Sequence, residues 1–175
     1  MVISVEDLKL ADASFTELDD VILGRKLLAI EQMIRSTTNN NFQLQNARFV
    51  ADSLDGVLLG KNKYIQAGDT VQVSTTGVND GLYIVVDVSG NETVIDGDLH
   101  DCSNNRVTKV VYPPDVVEGV IKLLRFEIES QGRDNVSSEK LSRHTVSYFD
   151  INDNNISGYP PAVLGFLQPH MRIQI

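Results

Sequence analysis

Leu23, Leu27, Ile30 and Ile34 recur at i, i+4, i+7 and i+11, and this spacing predicts an amphipathic helix over residues 16–35. Ser14-Phe-Thr-Glu17 has the form of a capping box that opens it, and the Ser-Thr-Thr-Asn-Asn-Asn run closes it. Leu18, Ile22 and Met33 fall on a second side, and Val21 and Leu28 on a third. A helix apolar on several sides has to be buried on several sides. In so short a chain one of those sides is expected to meet another subunit, and Gly24 and Ala29 leave room for close approach. A shorter helix is expected around Ser4–Leu10.

A second helix is predicted over residues 115–131, after Pro113-Pro114 and ending at Gly132. Val117, Val120, Ile121, Leu124 and Ile128 form one stripe on it, and Val116, Leu123 and Phe126 form another. Leu18, Ile22, Met33, Val116, Leu123 and Phe126 are therefore the expected subunit-contact residues.

Between the helices the period changes. ARFVADSL, TVQVS, LYIVVDV and RVTKVVY are β-branched and aromatic runs, and five or six short strands are expected. Leu82–Val86 is continuously apolar and reads as a central strand. Asn79-Asp80-Gly81 and Ser89-Gly90-Asn91 read as hairpin turns, with further turns at Gly56, Gly60 and Gly68. After the second helix, residues 145–149 alternate as one strand or extended arm. PPAVLGFL reads as a short helix stopped at Gln168-Pro169, and MRIQI as a last strand.

The expected fold is α+β: a small helical bundle interrupted by a small β-barrel or β-sandwich-like insert. Residues 1–45 and 113–175 form the helical core with a C-terminal arm, and 46–112 form the insert. The last stretch, GYPPAVLGFLQPHMRIQI, is apolar where chain ends are usually polar and frayed, so something is expected to bury it.

Composition narrows the function. Net charge is −9, with −4 carried by residues 45–113 and −5 by the rest. No basic stripe stands out, which argues against tight binding to a phosphate backbone. No apolar run approaches the roughly 20 residues of a membrane span. The N-terminus MVISVEDLKLAD lacks the basic region of a signal peptide. Cys102 is the only cysteine, so no disulfide forms within the chain.

Candidate chemistry is sparse. His100-Asp101-Cys102 has the residue types of a nucleophile site, but strand neighbours face opposite ways and an adjacent carboxylate raises a thiol pKa. It reads as a polar loop with a passive cysteine. Asp150, Asn152 and Asn154 match the start of a calcium loop, but Asn155 and Pro161 stand where the turn glycine and bidentate glutamate belong. Gly77–Gly81 leads into a strand and lacks the Lys-Ser/Thr of a phosphate loop. His144 and His170 are isolated. No enzyme, metal or cofactor is expected.

VEDLKLADASFTELDDVILGRKLLAIEQMIRSTTNNNF resembles the N-terminal half of the head–tail connector (adaptor) family of tailed bacteriophages. YPPDVVEGVIKLLRFEIES resembles that family's next helix, with its P-x-x-V-x-x-A/G-x-x-x-L step. SSEKLSRHTVSYFD and GYPPAVLGFLQPHMRI resemble the C-terminal arm of connectors from phages of Gram-positive bacteria. The β-rich insertion departs from the short members, which join the helices directly.

The resemblance implies a virion protein at the head–tail junction, assembled in the host cytoplasm. It implies a ring of about twelve subunits, matching the portal's symmetry. Its partners are then other copies, the portal protein, and a stopper or tail-end protein, while DNA passes through the channel without specific binding. Carried over by position, Tyr148, Phe149, Tyr159, Leu164, Phe166 and Leu167 become docking residues of the arm. The alternatives are a stopper, tail-completion or other phage structural protein, mostly β with fewer helices, and a small-ligand module on the β insert.

Overall fold

The computed structural model describes residues 1–130, 138–141, 144–147 and 159–173. The chain divides into two compact units: Met1 with Asn41–Tyr112, and Val2–Asn40 with Pro113–Ile175.

The first unit is a closed antiparallel barrel of six strands: β1 (Gln43–Leu54), β2 (Val57–Leu59), β3 (Thr70–Ser74), β4 (Gly81–Ser89), β5 (Glu92–Ile95) and β6 (Cys102–Val110). Around the barrel they run β1-β2-β5-β4-β3-β6. Closure pairs β1 with β6, so no strand is left as the outer edge of an open sheet. β1 and β2 join through Asp55 and Gly56, both at positive φ (51° and 79°). That backbone matches the twist of a two-residue hairpin. β1 is long enough to serve two neighbours, pairing with β2 near Asp52–Leu54 and with β6 from Gln43 to Ser53. Register shifts between Gln43 and Arg48 and between Ala51 and Ser53 bend it around the barrel.

Ala47, Ala51, Leu58, Val71, Val73, Val85, Ile95 and Val107 fill the interior, with Ile65 and Leu99 added from the connecting loops. The small residues of β1 matter here, because a six-stranded barrel has little room inside. Gly60 is equally constrained: a Cβ there would sit 3.0 Å from the Phe49 ring. Leu82–Val86 is not buried on both faces as its composition suggested. Val85 points inward and Val86 is 56% exposed, because a barrel wall has one dry face.

The second unit holds α1 (Val5–Ala11), a 3₁₀ turn at Ala13–Phe15, α2 (Asp20–Thr38), α3 (Pro114–Ser130), a two-stranded sheet of β7 (Ser138–Leu141) with β8 (His144–Ser147), α4 (Pro161–Leu164) and a 3₁₀ turn at Gly165–His170. Asp19, not Ser14, caps α2, its carboxylate accepting from the N–H groups of Val21 (2.9 Å) and Ile22 (3.0 Å). Phe15 is wholly buried and belongs to the preceding turn, which Asp12 caps instead. The helix runs to Thr38 and stops within the Ser-Thr-Thr-Asn-Asn-Asn run that was expected to close it. The Thr38 hydroxyl bonds back to the Ile34 carbonyl at 2.7 Å, and Asn39 takes the left-handed conformation that ends it.

The expected helical bundle is overturned. The six-stranded sheet dominates, and the described helices are few and do not form a bundle. Among the described residues only α2 (19 residues) and α3 (17 residues) are long; α1 has 7 residues and α4 has 4. Two long helices cannot enclose a bundle core, however many apolar sides each carries. Residues 138–141 and 144–147 form two paired antiparallel strands rather than one strand. Residues 171–173 are not a strand, and the short C-terminal helix continues as 3₁₀ through Pro169 to His170. The expected helix stop at Gly132 and the calcium-like Asp150–Asn154 run lie outside the described residues. Among the described residues no helix is long and apolar enough to cross a membrane.

Candidate functional site

Two groups of residues in the helical unit carry the surface chemistry. The first is α2. Leu23, Leu27, Ile30 and Ile34 are buried on one face, as their i, i+4, i+7 spacing requires. The opposite face stays in solvent although it is apolar: Val21 is 60%, Ile22 54% and Leu28 53% exposed. Gly24 has nothing within 4 Å of where a Cβ would stand, so the backbone there is open as well.

The second is the C-terminal segment, residues 159–173. Leu164 and Leu167 are buried, and the Phe166 ring lies flush on Gly119 of α3, where a Cβ would come within 2.4 Å of it. The Tyr159 hydroxyl donates to Glu127 Oε1, and Lys26 of α2 holds the other carboxylate oxygen at 2.5 Å. Burial, then the Glu127 carboxylate, pushes the Tyr159 phenol well above its ordinary pKa. His170 Nε2 lies 2.7 Å from Asp115 Oδ2, and that contact holds the Asp115 carboxyl below its ordinary value. The Arg172 N–H donates to the Thr38 carbonyl at 2.8 Å, and Asn40 Nδ2 donates to the His170 carbonyl at 3.2 Å. The segment is therefore fastened to α2 and α3 by its own backbone as well as its side chains. At its end Met171 (49%) and Ile173 (89%) stand in solvent.

The expected contact residues separate on this geometry. Ile22 is exposed; Leu18, Met33 and Phe126 are half-buried; Val116 and Leu123 are fully buried within their own unit. Val116 and Leu123 instead close the core of α3, so neither is surface for another subunit. Leu164 and Leu167 are likewise covered by their own chain, while Tyr159 and Phe166 remain half-buried. Phe126 and Tyr159 meet as tilted rings, centroids 6.4 Å apart. Tyr148 and Phe149 lie outside the described residues. The exposed face of α2 is made by Ile22 from the second apolar stripe together with Val21 and Leu28 from the third.

In the barrel unit, His100, Cys102 and their neighbours form a polar plug. Asn79 and Asn105 have no exposed surface. Asn79 Nδ2 donates to the His100 carbonyl (2.9 Å) and lies 3.1 Å from Ser53 Oγ, Cys102 Sγ and Asn105 Oδ1. Asn79 Oδ1 accepts from the His100 N–H at 2.9 Å, and Asn105 Nδ2 donates to the Ala51 carbonyl at 3.2 Å. Amide and hydroxyl groups consume one another's hydrogen bonds here, and His100 takes part through its backbone. Among the described residues no group of three or more His, Cys, Asp or Glu could hold a metal ion.

No family model matches the chain, and no curated protein matches it.

Proposed function

We propose that this chain is a structural virion protein of a tailed phage. In this reading it is a head–tail connector (adaptor) that forms a ring beneath the portal, around the DNA exit channel. The carrying observation is the solvent-facing apolar face of α2, with Val21, Ile22 and Leu28 each more than half exposed. Apolar surface of that kind on a small unit marks a contact with another chain. The resemblance of residues 3–44 and 112–175 to connectors says which chain. Tyr159, Phe166, Met171 and Ile173 supply apolar surface at the C-terminal end for docking to the portal or a neighbour. The net charge of −9 suits a channel wall along which DNA slides without sticking. The role is structural and involves no reaction.

The β barrel favours a second reading. Stopper and tail-completion proteins are mostly β, and here the sheet is the dominant element. Both readings place the chain at the same junction and differ in the neighbour bound. Native mass spectrometry of the chain, alone and mixed with portal protein, tests the first reading. A ring-sized complex on portal is the expected result, and Leu28→Asp should prevent it while leaving the melting temperature unchanged. A chain that ignores portal but joins portal already carrying another connector is a stopper instead. A chain that binds neither removes both readings.

A further inference from the structure

We draw no further inference here: the strongest candidate, the solvent-facing side of α2 made by Val21, Arg25, Leu28, Ala29 and Gln32, presents Arg25 with no opposing charge among those residues, and nothing in the structure shows what covers it.

Discussion

Asn79 sits in the β3–β4 loop without exposed surface, tied to Ser53, His100 and Asn105 from distant parts of the chain. Removing its amide strands several buried polar groups at once, and each costs about 1–3 kcal/mol when left unpaired. Asn79→Ala should therefore lower unfolding free energy by roughly that much or more, measured by urea denaturation. The sequence marked residues 79–81 as a turn and stopped there. Turn chemistry is local and legible; the partners that bury the amide come from strands far along the chain and are not. Asp80 is the opposite case, an exposed acid whose cost is readable from its own loop. The N–H groups of Gly77 (2.9 Å) and Thr76 (3.0 Å) donate to its carboxylate, and chiefly the Gly77 bond lowers its pKa from the ordinary 3.8. A lowered folded pKa means its contribution is complete above 3.8 and is lost as pH falls through the folded value. Thermal melts of Asp80→Asn should thus lose less stability below pH 4 than wild type does, starting from a lower neutral value.

The two long helices were legible as elements because their periodicity is strong, and the start of α2 was misjudged because caps depend on single residues. Ser14 and Asp19 both have good capping side chains; burial of Phe15 in its own turn decides for Asp19. Apolar stripes on α3 were visible, but not which of them its own chain would cover. That depended on the C-terminal segment returning to Gly119, a contact that no local pattern encodes. Gly119→Ala sets two effects against each other. Alanine favours a helix over glycine by about 1 kcal/mol. Its methyl would stand 2.4 Å from the Phe166 ring, and overpacking of that order costs about 1–3 kcal/mol. The steric term should win, lowering the melting temperature. Adding Phe166→Ala removes the clash, so the double variant should lose less stability than the two single changes summed. Additive losses would show that the ring does not rest on Gly119.

At the scale of the molecule, strands and turns of the insert could be read from β-branched runs and Gly-containing loops, and a barrel was among the expected outcomes. The balance between barrel and helices could not, because it follows from element lengths and closure rather than from residue preferences. β1 illustrates this: only a 12-residue strand bent by two register shifts can serve both neighbours, and composition does not report bends. The barrel's interior and strand pairing are complete within residues 41–112, and Met1 adds a bond to Thr70 Oγ1 at 3.0 Å. A peptide of residues 41–112 should accordingly fold alone, with a cooperative thermal transition and protected amides in hydrogen exchange on β1, β3 and β6. Loss of both in the isolated segment would mean that the closed sheet depends on the helical unit.

Phe42 and Tyr112 face each other as tilted rings with centroids 4.7 Å apart, the Val111 N–H donates to the Phe42 carbonyl at 2.9 Å, and Gln43 pairs with Val110. Entry and exit thus lie side by side at the first rung of the β1–β6 ladder. Tension between residues 41 and 112 would load those rungs in sequence rather than all together, as a zipper opens. Single-molecule pulling at residues 41 and 112 should therefore open the ladder from this end, one rung after another.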